Sequence, residues 1–224
     1  MRAVVIDASL SEAATSARLG DQLIERLPEQ WRVQRLQLRP LAHELVDNLL
    51  TGFPSPALEQ MQAAVQEAEV AIVLTPTYQA GYSGLLKLFF DTLPEQSLAG
   101  TAVLIGATGG TARHALMVEH AVRPLLSYLH AVVVPTALFV AADDWGGIQG
   151  ADEQDGPGAL ARRLDRAVAE LKLLAQLVQG RPTEVVEPSA PTAERKVEDG
   201  LAFARTKVDD LDTVVPFEVL LRSV

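Results

Sequence analysis

The chain has 224 residues, no cysteine, and 19 Lys and Arg against 29 Asp and Glu, a formal charge of −10. The lack of thiols excludes disulfide frameworks, iron–sulfur clusters, Cys-based zinc sites and thiol catalysis, and a 48% hydrophobic content excludes a mainly disordered chain. A pI near 4.9 argues against binding nucleic acid through its phosphate backbone, and no run approaches the roughly 18 apolar residues of a membrane helix.

Met1-Arg2 leads straight into Ala3-Val4-Val5-Ile6, an apolar run too short for a secretory signal and ended by Asp7. The expectation is a soluble, cytoplasmic protein. The same run is the first of five predicted strands, at residues 3–6, 33–38, 70–74, 102–105 and 131–135. Helical spacing fills the gaps between them. Leu19, Leu23, Ile24 and Leu27 share one face, as do Leu58, Met61, Val65 and Ala68. Leu85, Leu88, Phe89 and Thr92 follow the third strand, and Ala115, Val118, Val122, Leu125 and Leu129 follow the fourth. A fifth helix spans 159–178, with Leu160, Leu164, Ala167, Leu171 and Leu174 inward and Gly180 and Pro182 after it.

Strands alternating with helices imply a doubly wound, three-layer α/β/α domain over residues 1–180, with a five-stranded parallel sheet. Of the two common strand orders, five strands favour the flavodoxin-like 2-1-3-4-5. Residues 181–224 form an extended carboxyl-terminal tail, polar and Pro-spaced at first, then apolar around Val214, Val215, Phe217, Leu220 and Leu221. It either packs on its own domain or serves as an arm for a partner or a second subunit.

In open α/β sheets the ligand sits beyond the carboxyl ends of the strands, where the strand order reverses. That points to the loops after the first, third and fourth predicted strands. The first loop carries Ser9, Ser11, Thr15 and Ser16 at a helix start. Hydroxyls, free N–H groups and the helix dipole together suit a phosphate monoester, although Thr15 or Ser16 could equally cap the helix. Neither a P-loop nor a G-x-G-x-x-G is present, so a mononucleotide such as FMN fits better than ATP or a Rossmann dinucleotide. In the second loop, Pro76 is expected to turn the chain at the strand end, leaving Thr77 and Tyr78 N–H groups on the cleft and an aromatic to cover a flat ring. In the third, Thr108, Gly109, Gly110 and Thr111 let the backbone approach a ligand closely. An ordinary turn, with the tyrosines filling packing gaps, is the plainer account of each loop taken singly.

Pro76-Thr77-Tyr78, with Ser83-Gly84-Leu85-Leu86-Lys87 and Ala107-Thr108-Gly109-Gly110-Thr111, resembles the NAD(P)H-dependent FMN reductases of flavodoxin-like fold. It is most similar to the two-component branch that feeds reduced flavin to a luciferase-like or alkanesulfonate-type monooxygenase. The resemblance implies FMN and NADPH or NADH as cofactors, and a flavin-dependent monooxygenase as partner. It places Ser9, Ser11, Thr15 and Ser16 on the phosphate, Pro76, Thr77 and Tyr78 along the isoalloxazine, and Thr108, Gly109, Gly110 and Thr111 at the pyrimidine edge. Many members carry Gly where Ala8 stands and a basic residue where Ser11 stands, which implies weak, exchangeable FMN binding here.

No side-chain acid or base is needed for hydride transfer between two cofactors, so no catalytic residue is assigned. Arg113 is a candidate partner for a nicotinamide-nucleotide phosphate or else a surface ion pair. His43-Glu44-Leu45-Val46-Asp47 has Asp where a zincin needs its second His, so no metal is expected. Apolar surface at 81–87 and in the tail implies a homo-dimer or tetramer. An FMN electron carrier and a quinone or azo reductase are the alternative readings.

Overall fold

A computed structural model describes residues 1–11, 13–145 and 158–180. The proposed tail at 181–224 lies outside the described residues, and with it the expected domain boundary.

The central sheet contains β1 (Arg2–Asp7), β2 (Arg32–Gln37), β3 (Val70–Tyr78), β5 (Ala102–Gly109) and β6 (Val132–Val133), in the order β2-β1-β3-β5-β6. All of these neighbours are parallel. Two short strands complete it: β4 (Gly81–Tyr82), antiparallel to β3, and β7 (Leu138–Ala141), parallel to β5. With β4 set aside, and β6 and β7 taken as one interrupted strand, the order is the expected 2-1-3-4-5.

Alternate side chains of each strand feed two separate cores, as a sheet buried on both faces requires. On one face Val4, Ile6, Ala71, Val73, Val103 and Ile105 pack with residues from four helices. These are α2 (Ala42–Thr51), α3 (Pro56–Gln66), α4 (Gly84–Asp91) and α5 (Arg123–Tyr128). On the other, Val5, Ile72, Leu74 and Leu104 pack with Leu19 and Leu23 of α1 (Thr15–Ile24) and Leu164 and Leu171 of α6 (Ala159–Gln179). Sheet and helices form the three-layer α/β/α sandwich of a flavodoxin-like fold.

The structure differs from the expected elements in four places. First, α2 falls where no helix was expected, because its apolar residues are split. Leu45 is buried, while Val46, Leu49 and Leu50 face outward, followed beyond the helix by exposed Phe53. The zincin-like segment lies within this helix. Second, β3 does not turn at Pro76 but continues to Tyr78. The pairing of β1 with β3 ends at Leu74, whereas Pro76 still pairs in register with Thr108 of β5. The missing proline N–H therefore falls where β3 has lost its β1 neighbour. The turn comes later, at Gln79 and Ala80, with φ of 48° and 62°. Two left-handed non-glycine residues cost about 1 kcal/mol each, so the hairpin into β4 is held by its surroundings.

Third, the helix after β5 begins as a 3₁₀ turn at Ala112–His114 and passes through a π-helical turn at Val118–Val122 before α5. Pro124 lacks the N–H that would close the regular ladder, and the widened turn precedes it directly. Leu126 consequently becomes fully buried, whereas Leu125 is only partly so. Fourth, the fifth strand breaks at Pro135-Thr136-Ala137 and resumes as β7. Arg123 donates to the carbonyls of Val134 and Pro135, at 2.9 and 3.2 Å. Glu170 of α6 accepts from the Thr136 N–H at 2.8 Å and from its hydroxyl at 2.7 Å. The break is a braced joint.

Candidate flavin site at the carboxyl edge of the sheet

The three loops singled out in the sequence emerge at the carboxyl ends of β1, β3 and β5, three adjacent strands. In the first loop the four hydroxyls part company. Ser11 and Thr15 are exposed, and Ser9 and Ser16 are buried. Neither Thr15 nor Ser16 caps α1. The cap position is Ala14, whose methyl group cannot accept a hydrogen bond, so the start of α1 is left without a side-chain cap.

Ser9 and Ser16 turn toward Asp7, the last residue of β1 and 3% exposed. Asp7 Oδ1 accepts from the Ser9 N–H at 3.0 Å and from the Ser9 hydroxyl, while Ser9 Oγ and Ser16 Oγ lie 2.7 Å apart. Asp7 Oδ2 accepts from Arg35 of β2 at 2.7 Å, and Arg35 also reaches Asp21 Oδ1 at 2.5 Å and the Ala17 carbonyl at 3.0 Å. Burial works against the Arg35 charge, yet the bonds to Asp7 and Asp21 outweigh it and raise the guanidinium pKa. Above this network lies a cleft of about 50 Å³ lined by Asp7, Ser9 and Ser11 on one side and Gln37 and Arg39 on the other. Asp7, Arg35, Gln37 and Arg39 were not foreseen in the sequence. A carboxylate closing an apolar strand was the available signal for Asp7, but only the parallel register of β1 and β2 brings Arg35 beside it.

The second and third loops meet. Thr77 and Tyr78 pair with Tyr82 and Gly81 across the hairpin, and Tyr78 is left 47% exposed. Thr75 Oγ1 accepts from the Ser83 N–H at 2.9 Å, tying the hairpin to the start of α4. Thr77 Oγ1 is buried and has no hydrogen-bond partner among the described residues. It faces Gly109. A methyl group added there would lie 3.4 Å from Thr77 Oγ1 and 2.7 Å from Cζ of Phe139 on β7, so any side chain at this position would have to displace the Phe139 ring. Gly110, by contrast, opens onto empty space. Thr108 is buried within β5, and Thr111 is exposed. An orphaned buried hydroxyl beside a glycine backbone fits the polar edge of a flat heterocycle.

Three other side chains have contacts of their own. Arg113 is exposed and donates to His114 Nε2 at 3.2 Å. Lys87 pairs with Asp91, which raises its pKa. Trp145 packs on the α1–α6 core with the Arg18 guanidinium 4.4 Å over its ring, an anchor rather than a cleft wall.

Strand order and layer arrangement define the class: a flavodoxin-like α/β protein, with the three loops gathered at the switch point. The chain belongs to the NADPH-dependent FMN reductase family, whose model matches residues 1–146. It is 33% identical to the NADH-dependent FMN reductase SfnF of Pseudomonas putida over 146 residues, 64% of this chain and 78% of that protein. It is 47% identical to the FMN reductase (NADPH) of Escherichia coli K12 over 98 residues, 44% of this chain and 50% of that protein. Among solved structures, an oxidoreductase from Corynebacterium diphtheriae superposes with a TM-score of 0.71 at 34% identity, covering 81% of this chain and 98% of that one. The apo form of EMOB, an NADH:FMN oxidoreductase, superposes with a TM-score of 0.67 at 28% identity, covering 77% and 88%.

Proposed function

We propose that this chain is an NAD(P)H-dependent FMN reductase that binds flavin across the edge formed by the β1, β3 and β5 loops. The observation that carries the reading is the unpaired Thr77 hydroxyl, buried against Gly109 where two of the family's motifs meet. Reduced nicotinamide supplies the hydride and flavin accepts it; that chemistry belongs to the cofactors. The chain's part is to bind and orient. Thr77 Oγ1 and the backbone at Gly109 and Gly110 face the pyrimidine edge, where donors stabilise negative charge on the reduced ring. Tyr78 covers the ring, Pro76 and Thr108 fix the adjoining strand ends, and Thr111 closes the rim. Ser9, Ser11, Thr15 and Ser16 belong to the phosphate end, Thr15 and Ser11 with their side chains outward.

The same reading makes a flavin-dependent monooxygenase the consumer of reduced flavin, supported by the likeness of the two motifs to the two-component branch. It includes a cytoplasmic location; among the described residues no helix is long and apolar enough to cross a membrane. It also includes a homo-dimer or tetramer. Residues 81–87 are mostly covered within the chain. The exposed apolar side chains that support self-association are Val46, Leu49 and Leu50 on α2, with Phe53 just beyond its end.

Anaerobic mixing with FMN and either NADPH or NADH tests the activity. The expected result is rapid bleaching of the visible flavin absorbance with one nicotinamide preferred. A protein that stays yellow through purification and is inert to both nucleotides would overturn it in favour of an electron carrier.

A further inference from the structure

The hydroxyls at the proposed phosphate end have a proton arrangement that geometry alone determines. An ionised carboxylate can only accept hydrogen bonds, and a serine hydroxyl has one proton to give. Ser9 Oγ is bonded to Asp7 Oδ1, so the Ser9 proton points to Asp7. Ser9 Oγ also contacts Ser16 Oγ at 2.7 Å, and with its own proton committed it can only accept there. The Ser16 proton therefore points to Ser9. Both buried hydroxyls spend their single proton toward the carboxylate, and neither has one left for an incoming anion.

Charge works in the same direction. Asp7 and Asp21 share the single guanidinium of Arg35, through Nη2 and Nη1. A phosphate dianion at the start of α1 would meet a buried carboxylate whose neutralising partner is already divided between two acids. The uncapped helix start, the outward Ser11 and Thr15 and the Arg39 guanidinium in the cleft lining favour it, but none of these frees a proton on Ser9 or Ser16.

We propose that Asp7 is a specificity-determining residue that holds Ser9 and Ser16 away from the flavin phosphate, so that this chain takes riboflavin nearly as well as FMN. The inference rests on the flavin-reductase reading. Flavin is gripped mainly at its ring, by the Thr77–Gly109 end, and the phosphate adds little.

Equilibrium dialysis of the full chain with riboflavin and with FMN tests it. The quantity read is the riboflavin Kd divided by the FMN Kd, in the native chain, in Asp7→Ala and in Asp7→Asn. The native ratio is expected to lie below about ten, where one factor of ten corresponds to about 1.4 kcal/mol. Asp7→Ala, which removes the acceptor and frees both hydroxyl protons, should raise the ratio about tenfold or more. Asp7→Asn removes the charge but keeps an acceptor, and should raise it severalfold. Because the readout is a ratio, a general loss of folded protein cancels, and Asp7→Asn stands in if Asp7→Ala does not fold. A native ratio above ten overturns the proposal, as does a ratio that neither variant moves. If that occurs while flavin is still bleached by nicotinamide, the reductase reading survives alone. If neither flavin binds at all, both fall.

Discussion

The two ends of the proposed flavin edge are built on opposite plans. At the β1 end, the buried hydroxyls and the carboxylate turn inward, Ser16 to Ser9, Ser9 to Asp7 and Asp7 to Arg35, and within this network only Arg35 Nε is buried without a partner. At the β3–β5 end, a hydroxyl of the same kind, on Thr77, is buried and left unpaired. Burying a hydroxyl without a partner costs about 1–3 kcal/mol on mutational scales, a cost that the polar edge of a ligand would offset; Ser97 Oγ and Trp145 Nε1 are also buried and unpaired, but outside these loops. The hydroxyls of the first end are satisfied without a ligand, and the hydroxyl of the second is left unfinished. A family motif in the sequence therefore does not weigh equally at its two ends, and ligand affinity should depend mostly on the unfinished one.

The sharpest way to break this comparison is to fill the ring end. Gly109→Val would push against Phe139 Cζ, 2.7 Å from the added Cβ, and against Thr77 Oγ1. Overpacking of this kind costs about 1–3 kcal/mol of stability. Flavin reduction should suffer more, with kcat/KM for FMN falling roughly 100-fold, or about 2.7 kcal/mol of transition-state stabilisation. Circular dichroism separates the two effects. A folded variant that retains native kcat/KM removes Gly109 and Thr77 from the flavin edge.

The opposite end is sharpened by comparing two neighbours. Ser16→Ala cuts the hydroxyl relay to Asp7 inside the protein and should lower stability by about 1–2 kcal/mol while leaving FMN affinity within twofold. Thr15→Ala removes an exposed hydroxyl at an uncapped helix start and should do the reverse. Its stability should stay within about 0.5 kcal/mol of native, while FMN Kd rises severalfold. Denaturant melts and dialysis read both. If Ser16→Ala is the variant that loses FMN, the two hydroxyls have their roles exchanged and the β1 end is a phosphate grip after all.

Much of this edge is legible in the sequence. Alternation of short apolar runs with amphipathic ones gave the layers and the strand order, because the 3.6-residue and two-residue periods are set by backbone geometry and survive into the structure. The loops that matter were located by topology alone. What stayed hidden depended on pairing register or on proline. That Arg35 lies beside Asp7 follows from the Val5–Arg35 alignment of β1 and β2, two segments about thirty residues apart in sequence. Pro76 reads locally as a turn, yet it lies inside a strand whose other neighbour has ended. Pro135 reads as a strand end, yet Leu138–Ala141 resume the pairing beyond it. Of the four hydroxyls in the first loop, nothing in their order told which two would be buried; that is decided by an acid at the end of a strand below them.

The smallest expected effect concerns what holds the ring end in place. Phe139, the wall behind Gly109, belongs to β7, and β7 follows the break that Glu170 braces through both the N–H and the hydroxyl of Thr136. Burial pushes the Glu170 pKa up, but its bonds to Thr136 and Arg166 outweigh this, so the pKa is lowered. A carboxyl with a lowered folded-state pKa binds its proton more readily in the unfolded chain. Its stabilisation is therefore fully present above the unfolded value of about 4.3 and is lost as pH falls through the folded one. Glu170→Gln should cost about 1 kcal/mol at neutral pH. The gap between native and variant Tm should then close as acid protonates Glu170 in the native protein. Because Thr136 is two residues from β7, the variant should also raise FMN KM modestly at neutral pH, with the riboflavin KM rising in step. A rise confined to FMN would mean that the joint supports the phosphate end, and the division of the edge into a finished half and an unfinished half would have to be redrawn.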